Sequence, residues 1–115
     1  MYHHYIPQGS IFMVNLEPVI GHEQGRTRPV IVVSIPDFYD LTGNVLIVPI
    51  TSKIKNYGLT IPIKATKASR GIHGLALCQH LRSIDINARV NRLIGTCTSN
   101  ELSMILDTIS SSLYV

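Results

Sequence analysis

The chain contains the run Gly21-His22-Glu23-Gln24-Gly25-Arg26-Thr27-Arg28-Pro29, followed directly by Val30-Ile31-Val32-Val33-Ser34. The first part is a polar loop, and the second is an almost wholly apolar strand. Proline fixes its own φ and biases the residue before it toward an extended backbone, so we expect Arg28 at the mouth of a buried strand. A guanidinium held there, beside a histidine and a carboxylate, is suited to binding a phosphate group.

Length and composition predict one folded domain. The chain has 115 residues, of which 45% are hydrophobic. We divide it into an N-terminal extension, residues 1–8, and a single domain, residues 9–115. No apolar run approaches the roughly 20 residues of a membrane-spanning helix, and residues 1–10 lack the pattern of a signal peptide. These features predict a cytoplasmic protein without a membrane segment. Cys78 and Cys97 lie in apolar stretches and are expected to be buried free thiols.

Basic residues are concentrated in the middle of the chain. The net charge is +3, and residues 53–92 hold eight lysines and arginines against one acid, Asp85. Such a segment can present a positive surface to a polyanion such as a nucleic acid. The alternative is an ordinary solvated surface.

The pattern of apolar residues predicts a curled, mostly antiparallel sheet closed by a C-terminal helix. Predicted strands cover residues 10–16, 28–34, 45–51, 59–63, 75–82 and 92–97. Thr98 and Glu101 have the spacing of a capping box, which predicts a helix start. Within the strand predicted at 75–82, alternation places His80 and Arg82 on one face and Gln79 on the other. The fold class is therefore mainly β with one terminal helix.

Four motifs occur in a characteristic order. They are Asn15-Leu16-Glu17-Pro18, the Gly21–Pro29 loop, Val48-Pro49-Ile50-Thr51-Ser52 and Arg82-Ser83-Ile84-Asp85. Together they resemble the MazF/PemK family, the toxin ribonucleases of bacterial toxin–antitoxin pairs, over residues 9–115. The resemblance implies an SH3-like small β-barrel, the plasmid-maintenance-toxin fold.

The resemblance also implies an activity and partners. The expected protein is the toxin of a type II toxin–antitoxin system, a sequence-specific, metal-independent endoribonuclease that cleaves single-stranded mRNA by 2′-hydroxyl attack. We expect a homodimer that binds a cognate antitoxin, needs no cofactor and meets DNA only through the antitoxin complex. Two alternatives are a non-enzymatic toxin that binds DNA gyrase and a catalytically inactive family member. The complete Gly21–Pro29 loop favours the ribonuclease.

Two catalytic roles follow from the resemblance. Arg28 is expected to stabilise the transition state, and Thr51 to contact the scissile phosphate. The alternative for Arg28 is a salt bridge to Glu23, and the alternative for Thr51 is a cap at the end of a strand. Glu23 and Gln24 are expected to brace their loop. The residues expected to bind RNA are Arg26, Ser52, Lys53, Lys55, Gln79 and Arg82.

The chain departs from the family pattern at the predicted acid–base groups. Gln79 stands where one branch has an acid, Leu77 where it has an arginine, and His80 where many members have glutamine. We therefore predict that His80, His22 or both carry out the proton transfer, since imidazole changes its protonation state near neutral pH. The alternative for each is a hydrogen-bonded structural histidine. His73 is expected to be a solvated loop residue. No metal-binding spacing or phosphate-binding glycine loop occurs, so no metal or nucleotide cofactor is predicted.

Overall fold

The computed structural model describes residues 5–16, 27–53 and 58–113. Its strands are β1 Ser10–Asn15, β2 Thr27–Val32, β3 Val45–Thr51, β4 Thr60–Ile63, β5 Gly74–Leu77, β6 Arg82–Ile84 and β7 Val90–Thr96. Its helices are α1 Pro36–Thr42, α2 Ile86–Arg89 and α3 Ser99–Leu113, with a 3-10 turn at Cys78–His80. The predicted mainly β fold with a C-terminal helix is confirmed.

All strand pairs are antiparallel, and β3 is their centre. The strand order is β4-β5-β3-β2-β1-β7, with β6 also paired to β3. One side of β3 pairs with β2, and the other side is shared between β6 and β5. The sheet curls like a small barrel but its ladder is open, with β4 and β7 at the two ends among the described residues.

The segment between β4 and β5 covers the free edge of β7. The Thr96 N–H donates a hydrogen bond to the carbonyl oxygen of Ala68, at 3.0 Å. A Cβ at Gly95 would overlap that same carbonyl, so only glycine lets the two backbones approach this closely. We call residues 64–73 the bridging loop, because it joins the two open ends of the sheet.

The core has two apolar clusters, one on each face of strands β1 to β3. Ile11, Ile31 and Val48 belong to the first, which α3 covers with the fully buried Ile105. The second contains Phe12 and Val30, together with their neighbours on the same face. Burial on both faces explains the nearly continuous apolar sequences of these strands.

Residues 5–8, which lie in the predicted N-terminal extension, contact the domain. Ile6 is 2% exposed and belongs to the second cluster. The Gln8 side-chain amide donates a hydrogen bond to the carbonyl of Val33, at 3.0 Å. This part of the extension therefore contributes to the core.

The strand predicted at residues 75–82 is wrong beyond Leu77. Ala76 lies opposite Ile50, and Arg82 lies opposite Ile47. The chain thus advances six residues while its partner positions on β3 move back by three. The extra residues form the 3-10 turn, which carries Gln79 and His80. The predicted alternation of His80 and Arg82 along one strand face is lost with it.

The predicted capping box at the start of α3 is confirmed. The Thr98 N–H donates to a Glu101 carboxylate oxygen at 2.9 Å, and the Glu101 N–H donates to the Thr98 hydroxyl at 3.1 Å. The other carboxylate oxygen accepts the Lys64 N–H at 2.8 Å. Glu101 is 8% exposed, so one buried carboxylate joins the helix to the bridging loop.

Both cysteines are free and buried, as predicted. Burial raises the pKa of the Cys78 thiol. Burial and then the charge of Glu101 raise the pKa of Cys97 to about 11. Each thiol therefore stays protonated at neutral pH and behaves as a small apolar side chain.

Glu101→Ala is expected to lower the free energy of unfolding by about 2–3 kcal/mol, because two backbone N–H groups lose their acceptor at a buried site. The exposed acid Asp107 on the same helix is the matched control, and Asp107→Ala should change stability by less than about 0.5 kcal/mol. Urea unfolding followed by circular dichroism measures both. Equal stabilities for the two variants would contradict a structural role for Glu101.

Candidate active site

A cavity of about 390 Å³ opens where β2 begins and β3 ends. Arg28 and Pro29 line it from β2, and Thr51 lines it from the end of β3. The bridging loop forms another part of its wall. A site of this volume lies in the range of small-ligand pockets.

Arg28 lies near the start of β2, opposite Val14 of β1. It is half-buried, and within the described segments its side chain makes no hydrogen bond or ion pair. Next to it, Pro29 pairs with Met13. The predicted position of Arg28 at a strand mouth is confirmed. The alternative partner, Glu23, lies outside the described residues.

Thr51 is the last residue of β3. Val30 pairs with Pro49, and continuing this register by two residues brings Thr51 opposite Arg28. The Thr51 hydroxyl oxygen accepts a hydrogen bond from the Lys53 N–H at 3.2 Å, which leaves the hydroxyl hydrogen available to donate. Ser52 and Lys53 are exposed and line the same cavity. Four predicted residues are thus brought together.

Gly74 determines how closely the next strand approaches Thr51. Its φ is +139°, and a Cβ there would overlap the Thr51 carbonyl. Only glycine fits this backbone conformation and this contact. The first residue of β5 therefore packs directly on the end of β3 and carries the bridging loop to the cavity.

His73, at the end of the bridging loop, lines the cavity together with Gly71 and Ile72. It is exposed, as expected for a solvated loop residue, but the sequence did not indicate that it faces Arg28 and Thr51 across one cavity. The only feature of the sequence that drew attention to His73 was its position between Gly71 and Gly74 in a basic loop.

The remaining predicted site residues lie elsewhere. Gln79 and His80 are exposed on the 3-10 turn, and neither lines this cavity. Arg82 pairs with Ile47, four residues before Thr51 along β3, which corresponds to roughly 13 Å of strand. The other predicted residues lie outside the described segments: His22, Glu23, Gln24, Arg26 and Lys55.

The described residues converge on an anion-binding chemistry. A guanidinium, a hydroxyl and an ammonium meet in one cavity, and each is a donor to phosphate oxygens. Within residues 5–16, 27–53 and 58–113, no group of three His, Cys, Asp or Glu side chains is placed to hold a metal ion. In the same segments, no helix has the length and apolar character needed to cross a membrane.

Comparisons with known proteins identify the family. Residues 7–113 match the family model for the PemK-like, MazF-like toxin of type II toxin–antitoxin systems. The chain is 32% identical over 108 residues to Endoribonuclease PemK of Escherichia coli, covering 92% of this chain and 80% of PemK. It is 35% identical over 92 residues to Endoribonuclease toxin ChpB of Escherichia coli strain K12, covering 76% of this chain and 77% of ChpB.

A solved structure agrees with the fold. MazF from Deinococcus radiodurans superposes with a TM-score of 0.83 at 28% identity, covering 96% of this chain and 98% of MazF. This likeness confirms the predicted barrel-like fold. The chain belongs to the PemK-like, MazF-like family of type II toxins.

Proposed function

We propose that this protein is the toxin of a type II toxin–antitoxin system and acts as a sequence-specific endoribonuclease on single-stranded mRNA. The observation that carries the proposal is the convergence of Arg28 and Thr51 in one cavity. The relatives named endoribonucleases support it over the gyrase-binding alternative. Cleavage of mRNA would take place in the cytoplasm.

The residues in the cavity fit a reaction that needs no metal. The 2′-oxygen attacks the adjacent phosphorus, the bond from phosphorus to the 5′-oxygen breaks, and a 2′,3′-cyclic phosphate and a 5′-hydroxyl result. Arg28 donates to two phosphate oxygens and stabilises the charge that develops in the transition state. The Thr51 hydroxyl donates to the same phosphate, and Lys53 adds positive charge.

The proton acceptor predicted at His80 or His22 stays a prediction. His80 is exposed on the 3-10 turn and does not line the cavity. His22 lies outside the described residues. An arginine is a poor base because it stays protonated at all accessible pH values, so Arg28 does not take this role.

The family supports a protein partner, a cognate antitoxin. An acidic antitoxin segment would complement the basic surface, and DNA would be reached only through that complex. For the homodimer, Met104 and Leu113 leave apolar surface exposed on α3, as does Leu93 on β7. Strand β1 offers little apolar surface for such an interface, because it lies between β2 and β7 and most of its apolar side chains are buried.

A long single-stranded RNA incubated with the protein and a chelator is expected to be cut at a short recurring sequence. The fragments should carry 2′,3′-cyclic phosphate and 5′-hydroxyl ends, because the attacking oxygen belongs to the substrate itself. Mass spectrometry of the fragment ends provides the measurement. The control is the same RNA with 2′-deoxyribose at the cut position, which should stay intact. Cleavage that requires added divalent metal, or intact RNA with folded protein, would contradict the proposal.

A further inference from the structure

Of the two histidines in the described segments, one lies at the cavity and the other does not. His73 lines the cavity that Arg28 and Thr51 share, whereas His80 is exposed on the 3-10 turn outside it. Proton transfer to a side chain requires hydrogen-bond reach, so geometry ranks before residue type. The position of His73 at the cavity therefore makes it a better candidate than His80 for the proton acceptor.

A hydrogen bond determines which nitrogen of His73 carries the proton. Nδ1 lies 3.1 Å from the carbonyl oxygen of Gly71. A carbonyl can only accept, so Nδ1 is the protonated nitrogen in the neutral ring. The lone pair is then on Nε2, which has no hydrogen-bond partner among the described residues. This tautomer has the form that a general base requires.

The loop that carries His73 is held by its own hydrogen bonds. Ser69 is 1% exposed, and its hydroxyl accepts the Thr66 N–H at 2.9 Å and donates to the Ile72 carbonyl at 3.1 Å. The Gly71 N–H donates to the Thr66 carbonyl at 3.1 Å. With Gly74 packed on Thr51 at one end, the loop presents His73 from a fixed backbone.

We propose that His73 is the residue that accepts the proton of the ribose 2′-hydroxyl, a role that rests on the proposed ribonuclease function. Nε2 takes the proton as the 2′-oxygen forms its bond to phosphorus. The bond from phosphorus to the 5′-oxygen breaks, and the leaving oxygen takes a proton from solvent. The imidazolium of His73 then returns its proton to solvent, so the reaction consumes no water.

Among the described residues, the charged side chains that line the cavity with His73 are Arg28 from β2 and Lys53 after β3. Only the neutral form of an imidazole accepts a proton. If a histidine is the base, the cleavage rate should rise with pH along an acidic limb, and this limb should be lost when that histidine is replaced.

The test is single-turnover cleavage of a short RNA from pH 5 to 8.5 at saturating protein. His73→Gln should cleave about 100-fold more slowly or worse, and its acidic limb should disappear. Its affinity for the uncleavable 2′-deoxy oligonucleotide should change by less than about threefold. Added imidazole should restore part of the rate to His73→Ala. Lys67→Gln, an exposed change in the same loop, is the matched control and should keep both the rate and the limb.

His80→Gln and His22→Ala are the competing variants in the same assay. If either loses the acidic limb while His73→Gln keeps it, the proton acceptor is that residue and the inference is overturned. The inference also fails if His73→Gln keeps the wild-type rate. Wild-type protein that does not cut RNA would instead overturn the proposed function, and the assignment of His73 with it.

Discussion

Arg28→Ala is expected to slow RNA cleavage by roughly 1000-fold, the upper range for removing one preorganised donor from a developing oxyanion. The fold should survive, because Arg28 is half-buried and makes no side-chain hydrogen bond within the described segments. Arg28→Lys should recover only part of the loss, since an ammonium cannot bind two phosphate oxygens in the fixed geometry of a guanidinium. Single-turnover cleavage at saturating protein measures the rates.

Arg82→Ala is the informative comparison for this variant. Arg82 lies roughly 13 Å along β3 from the level of Thr51, so it can contact RNA only away from the scissile phosphate. We expect weaker RNA binding with a nearly unchanged maximal rate. If Arg28→Ala also weakens RNA binding and leaves the maximal rate nearly unchanged, Arg28 contributes only to binding, and the assignment of transition-state stabilisation to it is wrong.

Gly74→Ala is expected to lower the free energy of unfolding by about 3 kcal/mol, from backbone strain and overlap with the Thr51 carbonyl together. Even where the variant stays folded, cleavage should fall by about 100-fold, because a displacement of about 1 Å at a phosphate contact has effects of that size. Thermal unfolding and single-turnover rates should be measured on the same preparation.

Gly43 supplies the matched control for this change. Its φ is +74°, and a Cβ there would meet nothing within 4 Å. Gly43→Ala should therefore cost only the left-handed backbone strain, about 1 kcal/mol, and leave the cleavage rate unaltered. Similar losses of stability and activity in the two variants would show that contact with Thr51 is unimportant.

The predictable parts of this protein are those with local signals. Proline after Arg28 and the apolar run that follows indicated a buried strand with an arginine at its mouth. The spacing of Thr98 and Glu101 indicated the start of α3. The apolar run of residues 45–51 indicated a strand that ends at Thr51. All of these residues lie where the sequence indicated.

The missed parts depend on contacts between distant segments. The turn that carries His80 exists because β5 and β6 must pair with separate parts of β3, and alternation within residues 75–82 contains no sign of that. His73 reaches the cavity because Gly74 packs on Thr51 and Ala68 contacts Thr96. Neither contact can be read from the residues around His73 alone.

The bridging loop has a consequence for how this protein can change in evolution. Surface loops ordinarily tolerate insertions and deletions. Here the Ala68 carbonyl accepts a hydrogen bond from Thr96 of β7, and Gly74 packs against the Thr51 carbonyl. Adding or removing a residue between Ala68 and Gly74 would therefore break one of these two contacts. Drift in the bridging loop should be limited to substitutions at outward positions such as Lys67, while the number of residues between Ala68 and Gly74 stays constant.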